Sequence, residues 1–156
     1  MKNNIDRVIF RVDAGSDIGL GHFMRCLALA QEFKSKSINC FFMMNKPDET
    51  ISQKCKKEGF SLESMIIDEN SGSQQDAIQL EKFCRQMKAS LVIVDGYKFK
   101  INYLKKIQDC GLTLFFVDDI GSKYYVPADF ILNQNINAGE HMYKNNIGKT
   151  KLFLGN

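Results

Sequence analysis

His22 is the residue whose type and position best suit proton transfer. It lies in Arg11-Val12-Asp13-Ala14-Gly15-Ser16-Asp17-Ile18-Gly19-Leu20-Gly21-His22-Phe23-Met24-Arg25, where a β-branched and aromatic run passes into residues of helical periodicity. Imidazole is the side chain whose ordinary titration falls near neutrality. The positive end of a helix disfavours imidazolium, so a histidine in the first helical turn is expected to be neutral and able to accept a proton. The competing reading is a histidine that only caps or packs the turn. The glycine-rich approach and the polar groups described next favour a general base.

Three further chain positions carry polar clusters directly after apolar runs. These are Asp95-Gly96-Tyr97, Asp118-Asp119 and Asn133-Gln134-Asn135, which join Asp13 and the glycine turn. If the runs are parallel strands, all four clusters lie on one sheet edge and face a common crevice. Each aspartate has a structural alternative. Asp13 either meets substrate, pairs with Arg25 or caps the turn, while Asp95 and Asp118 either face the crevice or accept backbone N–H groups. Asp118 and Asp119 are neighbours on a strand and point to opposite faces, so one site is not expected to use both. Three consecutive amides make poor core and good hydrogen-bonding equipment for a sugar or phosphate.

Gly15, Gly19 and Gly21 suit a turn that needs positive φ or close backbone approach. The unpartnered N–H groups of the helix that follows make this turn a candidate anion site. The spacing is not the dinucleotide fingerprint, because Met24 stands where G-x-G-x-x-G needs its third glycine, and no Walker lysine follows. No cofactor is expected. Cys26, Cys40, Cys55, Cys84 and Cys110 are odd in number and never form C-x-x-C, and His141 has no second ligand nearby in sequence. Neither a disulfide framework nor a metal site is expected, and the cysteines read as reduced thiols of a cytoplasmic protein.

The elements that must position these groups alternate along the chain. Val8–Val12, Ile38–Met44, Met65–Ile67, Leu91–Val94, Leu112–Val117 and Phe130–Leu132 read as strands. Between them, helices are expected after the glycine turn (Phe23, Met24, Leu27, Ala28, Ala30 and Phe33 recurring), at Glu49–Glu58, from a Ser73 cap to about Lys88, and at Ile101–Asp109 before Gly111. In the third of these, Ile78, Leu80, Phe83 and Met87 are expected to face inward. The pattern predicts a doubly wound, Rossmann-like α/β domain with a mostly parallel sheet covered on both faces. At 156 residues the chain is one domain's worth, and a net charge of +3 is too mild to imply nucleic acid. No signal peptide or membrane-spanning stretch is read.

Arg11-Val12-Asp13, Ile18 through Ala30, Val94-Asp95-Gly96-Tyr97, Val117-Asp118-Asp119 and Leu132-Asn133-Gln134-Asn135 span nearly the whole chain in order. On these segments the sequence resembles the N-terminal half of the UDP-2,4-diacetamido-2,4,6-trideoxy-β-L-altropyranose hydrolases of pseudaminic acid biosynthesis, relatives of spore-coat polysaccharide proteins. The resemblance implies a GT-B-type architecture of two Rossmann-like domains facing across a cleft. It also implies metal-independent hydrolysis of the sugar C1–O bond with inversion, releasing UDP from a UDP-linked amino sugar. His22 matches the histidine that activates water, and Asp13, Gly21, Arg25, Asp95, Tyr97, Asn133 and Asn135 are the expected substrate contacts. The family continues into a second domain that supplies most of the UDP site. Residues 1–156 are thus expected to be the N-terminal domain, inactive until that second domain is supplied in cis or by a partner in trans. Two other readings stand beside this one, a glycosyltransferase in which His22 deprotonates an acceptor hydroxyl and a non-catalytic binding or assembly domain.

Overall fold

A computed structural model describes residues 5–15, 18–65, 67 and 70–155. Ser16 and Asp17 of the glycine turn, Ile66 and Glu69 lie outside the described residues. The chain alternates β1 (Arg7–Val12), α1 (Gly21–Ser35), β2 (Asn39–Asn45), α2 (Glu49–Glu58), β3 (Ser61–Met65), α3 (Gln74–Met87), β4 (Leu91–Asp95), α4 (Ile101–Asp109) and β5 (Thr113–Val117). It ends in β6 (Phe130–Asn133), a 3₁₀ turn at Glu140–Tyr143 and β7 (Lys151–Leu154).

The seven strands form one sheet in the order β3-β2-β1-β4-β5-β6-β7, with every neighbouring pair parallel. Winding runs outward in both directions from the β1/β4 boundary. This is the doubly wound Rossmann-like fold that the alternation predicts. All five residues of β4 are buried, which is why Leu91–Val94 reads as an unbroken apolar run before Asp95. On one face, Ile9, Val92 and Val94 pack with Leu80 of α3 and Leu104 of α4. On the other, Phe10 and Ile93 pack with Phe23 and Leu27 of α1 and Ile51 of α2. Among the described residues no helix is long and apolar enough to cross a membrane.

Two of the described α-helices, α2 and α3, start on side-chain caps. Asp48 accepts the N–H of Ile51 at 2.8 Å and Ser73 accepts that of Asp76 at 3.2 Å, so each side chain caps its helix. α4 ends at Asp109, and the chain turns away through Gly111 at φ +77°.

Four expectations are corrected. β3 forms at Ser61–Met65, four residues before Met65–Ile67. As an edge strand it tolerates the exposed Ser61 and Glu63, while Met65 and Ile67 are the residues buried as the chain leaves the strand. Ile78 is 57% exposed, because it lies about 100° around the helix from Ala77, which faces the core with Leu80 and Cys84. Met24 and Ala28 likewise face outward, leaving Phe23, Cys26, Leu27 and Ala30 as the buried stripe of α1. Finally, Lys151–Leu154 adds a seventh strand, and the sheet is less covered on one side than expected. Phe115, Phe130 and Phe153 stack across β5, β6 and β7 with ring centroids 5.9 to 6.2 Å apart, and Phe153 remains 38% exposed.

Candidate active site

Parallel strands place all their carboxyl ends on one rim, and the β1/β4 boundary is where the winding reverses. The loops leaving β1 and β4 diverge there and open a crevice. A cavity of about 250 Å³ is lined by His22, Arg25, Tyr97, Lys100, Asp119 and Ser122 among others. A second, of about 230 Å³, lies toward β1 and is lined by Asp13, Ile18, His22, Tyr97, Lys98 and Phe99. His22 and Tyr97 stand on the wall between them.

α1 brings His22, Arg25 and Cys26 to this rim at spacings i, i+3 and i+4, which share one helix face. All three reach the carboxylate of Asp95, the buried last residue of β4. His22 Nδ1 lies 2.8 Å from Asp95 Oδ1, Arg25 Nε donates to Oδ2 at 2.5 Å, Arg25 Nη2 donates to Oδ1 at 2.5 Å, and Cys26 Sγ donates to Oδ2 at 3.5 Å. Arg25 Nη2 also lies 2.9 Å from His22 Nδ1. Nδ1 faces both the Asp95 carboxylate and Arg25 Nη2, and because Nη2 already donates to Asp95 Oδ1 at the shorter distance of 2.5 Å, the arrangement favours Nδ1–H donating to Asp95. Nε2 is then the proton-accepting nitrogen.

Beyond Asp95, Arg25 Nη1 donates to Asp119 Oδ1, and the hydroxyl of Tyr97 donates to Asp119 Oδ2 at 3.0 Å. The Tyr97 ring meets His22 edge-on, with centroids 4.7 Å apart and planes at 83°. Burial works against the Arg25 charge, but the two carboxylates outweigh it and raise the guanidinium above its ordinary range. Burial likewise pushes Asp119 up, and hydrogen bonding from Arg25 overrides it to hold the carboxyl below the usual range. Burial, reinforced by Asp95, lifts the Cys26 thiol well above its ordinary value, which makes it a hydrogen-bond donor and not a nucleophile. Gly96 supports the geometry at φ +141°, where an added Cβ would stand 3.1 Å from the Phe99 ring.

The other expected contacts are placed as follows. Asp13 is buried and pairs with Arg11, not Arg25, at 2.6 and 3.2 Å, and it accepts the N–H of Asn45 at 2.9 Å. Gly21 is exposed at the helix start with open space where a Cβ would sit. Asn133 is fully buried, its Nδ2 donating to the Tyr143 hydroxyl at 2.9 Å and its Oδ1 accepting the N–H of Asn135 at 3.1 Å. Asn135 is exposed and donates from Nδ2 to the carbonyl of Asp119 at 3.0 Å. Both amides are thus engaged inside the protein. Asp119 and Cys26 were absent from the expected set. Contrary to the expectation that one site would not use both, Asp118 and Asp119 lie beyond the end of β5 and both line the first cavity, with Asp118 accepting the N–H groups of Asp119, Ile120 and Gly121 in its own turn. The available signal for Asp119 was a strand-end carboxylate on the same rim as an arginine one turn into α1.

No family model matches the chain. Among curated proteins it is 26% identical over 144 residues to the UDP-2,4-diacetamido-2,4,6-trideoxy-beta-L-altropyranose hydrolase of Campylobacter jejuni, covering 88% of this chain and 45% of that protein. It is 23% identical over 151 residues to an uncharacterized protein of Methanocaldococcus jannaschii, covering 96% of this chain and 29% of that protein. The chain therefore spans less than half the length of these curated relatives. Among solved structures it is similar to MurG of Acinetobacter baumannii, with TM-score 0.63, 12% identity, and coverage of 86% of this chain and 42% of that one. A glycosyltransferase from Rickettsia africae gives TM-score 0.60 at 10% identity over 97% of this chain and 42% of that one. LpCGTa, solved in complex with UDP, gives 0.53 at 14% identity over 73% of this chain and 30% of that one. These structural likenesses establish a shared fold.

Proposed function

We propose that this chain is the sugar-handling domain of a nucleotide-sugar enzyme in which His22 Nε2 takes a proton from the attacking nucleophile. The observation that carries this reading is the His22–Asp95 pair on the wall between two cavities at the winding reversal. A carboxylate on Nδ1 holds the ring with Nε2 free to accept a proton, the arrangement a general base requires. The nucleophile in the leading reading is water. Its oxygen bonds to C1 of a UDP-linked 2,4-diacetamido-2,4,6-trideoxyhexose, the C1–O bond to phosphate breaks, UDP departs with the electron pair, and the water proton passes to Nε2. Similarity to the Campylobacter hydrolase over 88% of this chain supports that substrate class. A UDP-binding domain, joined in cis or supplied in trans, completes the site, and the free thiols suit a reducing cytoplasm.

Glycosyl transfer is the second reading, and the additional cavity beside His22 favours it, since an acceptor needs more room than a water molecule. Product analysis with and without an added acceptor separates the two. With the UDP-binding domain present, His22→Ala is expected to cost on the order of a hundredfold in turnover, measured as UDP release. Retained turnover in that variant overturns the assignment of His22.

A further inference from the structure

Arg25 was expected to hold substrate, yet each of its three guanidinium nitrogens already donates to a carboxylate, Nε and Nη2 to Asp95 and Nη1 to Asp119. Its side chain is only 15% exposed. A sugar or phosphate would have to displace one of two charge-assisted pairs to reach it. Asp119 is itself held from several sides. Its second carboxylate oxygen accepts from Tyr97, its carbonyl accepts from Asn135, and its N–H donates to Asp118 Oδ1 at 2.8 Å. Asp118 is tied in turn to Tyr143, whose hydroxyl donates to Oδ2 at 2.9 Å and accepts from Asn133. The clusters that end β4, β5 and β6 therefore converge on Arg25, and through Arg25 on Asp95.

We propose that Arg25 and Asp119 are positioning residues: Asp119 anchors the far end of the Arg25 guanidinium, which then grips Asp95 side-on and fixes the carboxylate that orients His22. The inference rests on His22 being the base. Without that anchor, Arg25 is free to turn end-on, and Asp95 Oδ1 loses the placement that sets it against Nδ1. Arg25 Nη2 already lies 2.9 Å from Nδ1, and once it no longer donates to Asp95 Oδ1 it competes for the ring nitrogen. Accepting from Arg25 puts the ring proton on Nε2 and removes the base. Lysine cannot bridge two carboxylates in this way, because its ammonium is a single point donor.

The test reads the His22 ring directly. The chain has two histidines, so long-range ¹H–¹⁵N spectra of ¹⁵N-histidine-labelled protein near pH 7 contain two ring systems, and His22→Gln assigns them. Wild-type protein is expected to give one tautomer at His22, protonated on Nδ1. Asp119→Asn and Arg25→Lys are expected to give a tautomer mixture at His22 and an unchanged His141. With the UDP-binding domain present, Asp119→Asn is expected to lower kcat at least tenfold with KM within about twofold, since a transition-state role moves kcat and a ground-state contact moves KM. An unchanged His22 tautomer in Asp119→Asn overturns the proposal, as does a raised KM with kcat preserved. Should His22→Ala retain turnover while Asp119→Asn still mixes the tautomers, the reading of His22 as base fails and the positioning contact stands. Asp119 is partly exposed, so its isosteric change to Asn is tolerable where loss of Arg25 would leave Asp95 buried and unpaired.

Discussion

Arg11 is fully buried in the sheet beneath the crevice, with Asp13 on one side and Asp76 on the other. Its Nε and Nη2 donate to Asp76 at 3.0 and 2.7 Å, and its guanidinium lies 4.8 Å from the centre of the Phe99 ring. Burial drives the Asp13 carboxyl up, but the charge of Arg11 reverses the balance and sets it below its ordinary value. A depressed folded value means that the stabilisation is complete above the ordinary carboxylate range and is lost as pH falls through the folded value. Asp13→Asn is expected to cost about 3 kcal/mol near neutrality, since it strips a buried cation of one partner. The deficit should shrink as pH falls below the ordinary carboxylate range and through the depressed folded value of Asp13. Urea unfolding of both proteins at a series of pH values checks this, and a deficit that stays constant until the acid unfolding of the wild type would contradict it. Arg11 and Asp13 stand two residues apart, a spacing that carries a local signal for their pairing. Side chains two apart on a strand share a face, whereas Asp76 arrives from α3, 65 residues away.

Central elements were legible because burial on both faces leaves one pattern. β1 and β4 were placed within a residue or two, and the cap at Ser73 marked a real helix start. Edge elements were not. Among the described residues β3 and β7 have a neighbour on one side only, so polar residues are tolerated and the apolar signal drifts or disappears. The same limit applied to the site. The rim positions of His22, Asp95 and Tyr97 followed from strand ends, but the engagement of Arg25 by Asp119 spans 94 residues and has no local signature. Between β6 and β7 no α-helix packs the crossover, and a side chain takes that part. Asn146 is buried, accepts the N–H of Val126 at 3.0 Å, and donates to the carbonyl of Val126 at 2.7 Å and the hydroxyl of Thr150 at 2.9 Å. Asn146→Ala is expected to destabilise by about 2 to 3 kcal/mol, because it orphans buried backbone groups. Amide hydrogen exchange should accelerate first in β7, and a loss of protection spread evenly over the sheet would count against this role.

Across the whole molecule, the Phe115–Phe130–Phe153 strip ends on β7, whose outer edge has no strand partner among the described residues. Stacked aromatics next to an open edge favour self-association. Phe153→Lys is expected to lower concentration-dependent light scattering without moving the circular dichroism spectrum, and equal scattering from both proteins would place the contact elsewhere. The sheet order has another consequence, in time instead of space. His22 and Asp95 are 73 residues apart and meet only where β4 docks against β1, after α3 has crossed the sheet. During synthesis from the N-terminus, a ribosome that has released β1 through β3 has therefore produced a histidine with no carboxylate partner. Completion of the crossover is the event that turns the nascent chain into one able to move a proton.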